Sequence, residues 1–251
     1  PTIGLGGSIP TWIMRLHSVS FLSTVSDMRK KFDKSEEIDA ASRARISAMI
    51  KAHGEEADYN ASYTKEENDI LQVGLGYFDI FKKGGTGVKS KKVKTSSPLA
   101  TSEMAFKKGD NHAWGKSSIT VRARAVDILS YVWNYGCRSE WVADDLEKKI
   151  LESSNDHNKV ALGSKSMPAR LRDREYVGRM LWKRLGEGNY VFVTKPVEHD
   201  GRKRTSAFVR GSFFSCMQLE QLNESETRIS WAAKVVAGGN IPSWVMNLNA
   251  T

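Results

Sequence analysis

A short string occurs near both ends of the chain, Gly6-Gly7-Ser8-Ile9-Pro10-Thr11-Trp12-Ile13-Met14 and Gly238-Gly239-Asn240-Ile241-Pro242-Ser243-Trp244-Val245-Met246. Counted from Gly6 and Gly238, 7 of 14 aligned positions are identical, where average composition predicts roughly one. The copies stand 232 residues apart, far beyond the roughly 20–50 residues of solenoid repeats, so the repeating unit is a whole domain. The chain therefore reads as the tail of one unit followed by another.

In each copy a glycine pair turns the chain and a proline opens a helix. Ile9, Trp12, Ile13, Leu16, Val19, Phe21, Leu22, Val25, Met28 and Phe32 recur at helical spacing, which predicts a helix over Ile9 to Phe32. Glu36 to His53 is helix-compatible and Gly54 stops it, while 55–62 is polar. The expected organisation is 1–32 as the last helix of a preceding domain, 33–63 as a helical and polar linker, and 64–251 as the second domain. Its own last helix begins at Ile241, with Trp244, Val245 and Leu248 on one face.

Within 64–251 the periodicities alternate in an informative order. Thr64 with Glu67 three positions on forms a capping box, predicting a helix from there to about Phe81. Strands are expected at 91–95, 104–107 and 117–123, then a helix over Ala125 to Tyr135 and another over Ser139 to Leu146. Six further strands follow at 148–152, 159–164, 176–185, 190–195, 208–222 and 227–236. The last shows the clearest alternation, with Ile229, Trp231, Ala233 and Val235 opposed to Arg228, Ser230, Ala232 and Lys234. One covered sheet face is the expectation from that pattern.

The residues that carry most information lie in order along the second half. Arg174-Glu175-Tyr176-Val177 precedes Met180-Leu181-Trp182-Lys183-Arg184, then Tyr190-Val191-Phe192-Val193 leads to Val197-Glu198-His199, followed by Val209-Arg210-Gly211 and Gly239-Asn240-Ile241-Pro242-Ser243-Trp244. This succession resembles the START lipid-transfer family, which has similar Arg-Asp-Phe-Val, Ser-Val-Glu-His, Val-Arg-Gly and Gly-x-(Ile/Leu)-Pro-x-Trp patterns. The resemblance covers about Thr64 to Thr251 and is strongest after Arg170. It implies an α+β helix-grip fold, a curved antiparallel sheet wrapped around a C-terminal helix with an apolar tunnel for one lipid between them. The ligand it implies is a phospholipid, a fatty acid or a sterol-like molecule.

On that reading the tunnel-lining candidates are Met180, Trp182, Phe192, Phe213, Met217, Ile229, Trp231, Trp244, Val245 and Leu248. The aromatics among them serve equally as ordinary core. Aligning the family's sterol-binding members places their buried strand arginine at Met180, which supplies neither charge nor hydrogen bonds. Arg179 is adjacent but points to the opposite face, so the expected contact is apolar. Ile241 to Thr251 makes about three turns, roughly 16 Å, short for a tunnel cover. Helix Ile9 to Phe32 either docks in its place or lies elsewhere.

Other chemistry is poorly supported. The five histidines form no HxxxH or HxH pair, Cys137 and Cys216 are distant from each other and read as free thiols in a reducing, cytoplasmic setting, and Gly84-Gly85-Thr86-Gly87 lacks the ending of a phosphate loop. Glu198-His199 reads as loop structure before acid-base chemistry. No metal, cofactor or catalytic residue is expected. Mean hydropathy is −0.44, and no apolar run approaches the roughly 20 residues of a membrane span. The formal charge of +9, with Lys82, Lys83, Lys89, Lys91, Lys92 and Lys94 in one cluster and Arg202-Lys203-Arg204 in another, suits an anionic membrane surface better than nucleic acid. It is also what a solvated loop looks like. Two functions stay open: a non-catalytic lipid-binding module peripheral to membranes, and a regulatory, protein-interaction or nucleic-acid-binding domain that holds no lipid.

Overall fold

A computed structural model describes residues 63–82, 88–93, 100–108, 112–133, 145–167 and 171–239. Helices Ile9 to Phe32 and Glu36 to His53, the polar 55–62 segment, Cys137, the Gly84 to Gly87 turn, and Trp244, Val245 and Leu248 of the last helix lie outside them.

The elements are α1 (Lys65–Gly76) with a 3-10 turn (Tyr77–Phe81), β1 (Val88–Val93), β2 (Ala100–Lys107), β3 (Trp114–Val121), α2 (Ala125–Trp133), β4 (Asp145–Asn155), β5 (Asn158–Lys165), β6 (Arg174–Gly186), β7 (Asn189–Pro196), a short 3-10 turn (Asp200–Arg202), β8 (Val209–Asn223) and β9 (Glu226–Val236). The nine strands among the described residues form one open sheet in the order β1-β2-β3-β9-β8-β7-β6-β5-β4. Its edges are guarded. β1 exposes Lys89, Lys91 and Lys92, and β4 breaks its register three times against β5, both devices that discourage edge-to-edge pairing.

Leu146 belongs to strand β4 and is exposed there, which overturns the helix expected over Ser139 to Leu146 for its final residues. Alternation was the only local signal for a strand, and the irregular register of this edge hides it.

A second correction concerns burial. Neighbouring side chains of β9 alternate between two cores, since Ile229 packs with α2 and Ala232 packs with Tyr77 beneath α1. The sheet is therefore covered on both faces rather than one. The α1 face escapes sequence reading because its residues are small or amphipathic. Ala232 and Ala105 are fully buried, and Lys234 lays its ammonium 5.1 Å from the Trp114 ring and 5.3 Å from Phe214, covering apolar surface with its stem.

The capping box forms as its spacing predicts. Thr64 Oγ1 accepts from Glu67 N–H at 3.2 Å, and Glu67 Oε2 accepts from Thr64 N–H at 2.9 Å. Glu67 is buried, and its other oxygen accepts from the amides of Asn155 at 3.1 Å and Asn158 at 2.6 Å. Beside it Tyr63 donates to the Trp182 carbonyl at 2.8 Å and stacks on His157 at 4.0 Å. Helix α1 is thus fastened to the β4–β5 turn and to β6.

The family-like strings come together at the far end of the sheet. β7 stops at Pro196, which has no N–H for a ladder, and beyond it β6 and β8 meet directly in parallel register, Glu175 opposite Arg210. Glu175 is fully buried. Its carboxylate accepts from Arg210 Nε at 3.1 Å and Nη2 at 2.9 Å, and from Arg202 Nε at 2.8 Å. Arg210 also meets Glu198 at 3.2 Å. Gly211 leaves no room for a side chain, since a Cβ would lie 2.4 Å from Tyr176 Cε1 and 2.9 Å from the Val236 carbonyl. Gly238, at φ +68°, sits where a Cβ would approach the Arg210 carbonyl to 2.4 Å.

Two outcomes follow from these nodes. Burial alone raises the Glu67 pKa, but the Thr64 N–H, the two amides and His157 outweigh it and bring the value from 4.5 to about 2. A carboxyl lowered on folding stabilises the fold above its unfolded value and loses that contribution as pH falls through the folded one. Thermal unfolding should therefore show a loss on the order of 3 kcal/mol between pH 4.5 and about 2. Glu67→Gln should lack most of that pH dependence and be less stable at pH 7. At the other end, Glu175→Gln leaves buried guanidinium charge uncompensated and should cost about 3–5 kcal/mol in denaturant unfolding. Arg204→Ala, whose side chain is 66% exposed, should leave the unfolding midpoint close to wild type.

Candidate functional site

Helix α2 defines the face of interest. Ala125 N–H donates to Gln221 Oε1 at 2.7 Å and Thr227 Oγ1 donates to the Ala123 carbonyl at 2.7 Å, tying the start of the helix to the β8–β9 hairpin. Its end is held by Lys159 of β5, whose Nζ donates to the Trp133 carbonyl and lies 3.7 Å from the Trp133 ring centroid. Between these ties Ile128, Leu129 and Val132 are buried against the sheet. A side chain of that size contributes roughly 1.5–3 kcal/mol by its burial.

Strand register arranges the same face in rows. Ser117, Trp231, Met217, Phe192 and Trp182 are successive cross-strand partners, a row that is almost wholly large and apolar. The adjacent row runs Lys91, Met104, Gly115, Ala233, Ser215, Thr194, Met180 and Lys159. Across four neighbouring strands its side chains are only hydrogen, methyl, hydroxymethyl and hydroxyethyl. Val235 and Phe213 pair on the other side of it. A track of small residues thus crosses four strands between large ones, with Met104 between it and the exposed edge Lys91 and Met180 between it and the buried Lys159. The rings of Phe213 and Trp231 approach to 6.2 Å across it, and Ser215 is 2% exposed.

The strand residues expected to line a tunnel all share this face. Met180, Trp182, Phe192, Met217 and Ile229 are buried in the core under α2, with Trp231 packed against them. Phe213 and Trp231 are half-buried. Trp182 is held firmly, its indole N–H donating to the Asp156 carbonyl at 3.1 Å. Arg179 faces the other way, as its one-residue offset from Met180 requires, and donates to Asn158 Oδ1 at 3.1 Å. The sequence reading missed Lys159, the small-residue track, and the Tyr190, Leu219 and Ile119 contacts beneath α2. Alternation assigns faces within one strand, but only register says which residues of different strands stand side by side.

Glu198 and His199 serve the loop after β7. His199 Nδ1 accepts from Gly201 N–H at 3.0 Å and Nε2 lies 3.2 Å from Glu152 Oε2, while Glu198 joins Arg204 and Arg210. Cys216 is a free, buried thiol on the α1 face whose pKa burial pushes up to about 12. No helix among the described residues is long and apolar enough to cross a membrane.

Three solved structures with this architecture are distant in sequence. Human STARD10 superposes with a TM-score of 0.59 at 16% identity, covering 74% of this chain and 73% of its own. Human StAR-related lipid transfer protein 5 gives 0.58 at 17%, covering 74% and 89%. The lipid transfer and protein localization domain of human StarD13 (DLC2) gives 0.55 at 20%, covering 73% and 88%. At these identities the likeness establishes the helix-grip fold. A search among curated proteins by sequence gave no match. The START domain family model matches residues 104–249, more than half the chain, taking in the large row, the small row from Met104 onward and the ion node at Glu175. The chain belongs to the START domain family.

Proposed function

We propose that this START domain binds one lipid non-catalytically, with its chain along the track from Gly115 to Thr194. The carrying observation is the track itself: small side chains in register across four strands, flanked by Trp231, Met217 and Phe192 on one side and by Val235 and Phe213 on the other. A concave apolar site with few polar groups is the usual form of a lipid pocket, and the structural neighbours StAR-related lipid transfer protein 5 and the StarD13 domain are both named for lipid transfer. The chain takes the space over Ala233 and Ser215 when the Phe213 and Trp231 rings part. In this reading Trp244, Val245 and Leu248 of the last helix cover the track.

The edge of the sheet supports a membrane-facing mouth. Lys89 and Lys91 are exposed on β1, and Lys91 begins the track row. Their charge draws that edge to an anionic leaflet, at about 1 kcal/mol per cation near the surface. A transient, peripheral encounter for lipid transfer or sensing follows from that arrangement. The repeated glycine-proline-tryptophan string supports an organisation in which 1–32 ends a preceding START-like unit, 33–63 links, and 64–251 forms this one.

Vesicle extraction followed by mass spectrometry tests the first point. Wild-type chain should carry lipid away from vesicles containing phosphatidylserine, and Ala233→Trp, which fills the track, should reduce the load at least about tenfold with an unfolding midpoint close to wild type. Lys89→Glu with Lys91→Glu should slow extraction from anionic vesicles and leave that from neutral ones unchanged. A wild-type chain that takes up no lipid rejects this reading in favour of an interaction domain. For the domain organisation, limited proteolysis should cut within 33–63 and leave a resistant fragment starting near Tyr63, whose hydroxyl is tied to β6. A fragment beginning near residue 1 would count against it.

A further inference from the structure

The row that contains the track has two unlike ends. One is Lys91 on the exposed edge strand; the other is Lys159, 8% exposed, cross-strand partner of Met180 and on the same face. An ammonium buried among apolar side chains is costly unless its surroundings are polar or negative. Here the carbonyl end of α2 supplies both, through the Trp133 carbonyl and the partial negative charge of a helix C-terminus. The Trp133 ring face lies against the same ammonium. The fold therefore holds a positive charge at the inner end of a row whose other members are neutral as far as Lys91.

Resting on the lipid-binding reading above, we propose that Lys159 receives the anionic headgroup oxygen of the bound lipid, a carboxylate or a phosphate. The ligand then lies with its headgroup at Met180 and Lys159 and its chain toward the β1 edge. Lysine suits the task because its ammonium is a compact point charge with three donors on a flexible stem. It reaches an anionic oxygen while still donating to the Trp133 carbonyl. Arg179, the neighbouring cation on β6, is turned to the opposite face and held by Asn158, so it does not substitute.

The test uses the whole chain and vesicles of phosphatidylcholine containing either oleic acid, oleic acid methyl ester, or phosphatidic acid. Wild type should take up at least one of the two anionic lipids in preference to the methyl ester and to phosphatidylcholine. Lys159→Met should lose that preference by about 10–100-fold, the range of a charge-assisted hydrogen bond, its uptake of anionic lipid falling by that factor relative to its uptake of neutral lipid. Lys159→Arg should retain the preference. Oleic acid against phosphatidic acid distinguishes carboxylate from phosphate. A purely structural role at the end of α2 predicts instead that Lys159→Met lowers uptake of neutral and anionic lipid alike. That result, or a wild type without preference, overturns the assignment to Lys159 and leaves lipid binding standing. If wild type takes up no lipid of any kind, the lipid-binding reading falls and this assignment falls with it.

Discussion

Everything distinctive in this domain depends on the backbone register that aligns β3, β9, β8, β7, β6 and β5. Because cross-strand partners share a face, one set of pairings builds the large row from Ser117 to Trp182 and the small row from Gly115 to Lys159. A slip of one residue in any strand would exchange its two faces. On β9 it would send Trp231 toward α1 and Ala232 toward the track, removing the contrast in size on which a ligand site depends. With α1 on one face and α2 on the other, such a slip would also place the wrong side chains in both cores.

Two polar nodes hold that register at opposite ends of the sheet. Near the β4–β5 turn, Glu67 joins the start of α1 to Asn155 and Asn158. At the other end, Glu175 gathers Arg202 and Arg210 where β6 and β8 meet beyond the end of β7. Buried charges add little net stability when compared with apolar residues of the same shape, yet they penalise misalignment because each must find its partner. Arg210 reaches Glu175 only when Val209 to Gly211 lie beside Arg174 to Tyr176. The absence of space at Gly211 makes the same demand sterically.

The fold was legible to the extent that it rests on local pattern. Thr64 and Glu67 announced a helix start that forms with both capping hydrogen bonds, and eight of the strands were visible as alternation or short β-compatible runs. Strand β4 was seen only in part, because its irregular edge breaks the period, and the second covered face was missed because Ala232 and Lys234 do not look apolar. For the candidate site, placing Met180, Trp182, Phe192, Phe213, Met217, Ile229 and Trp231 on one face followed from period two. Lys159 could not be found that way. In sequence it is a lysine between Asn158 and Val160, with nothing to mark its ammonium as buried.

By itself the sequence determined most of the order of helices and strands, the face shared by the large apolar residues of β6 to β9, and the family through strings that the fold brings together around Glu175 and Arg210. Those properties are local, or are fixed by chemistry that few residues provide: a capping carboxylate, a glycine where no Cβ fits, an arginine for a buried carboxylate. Only the tertiary structure decided which small residues fall in line across four strands, and that the line runs from Lys91 to Lys159. Relations of that kind are set by inter-strand hydrogen bonds between positions as far apart as Gly115 and Ala233, and no periodicity within one segment encodes them.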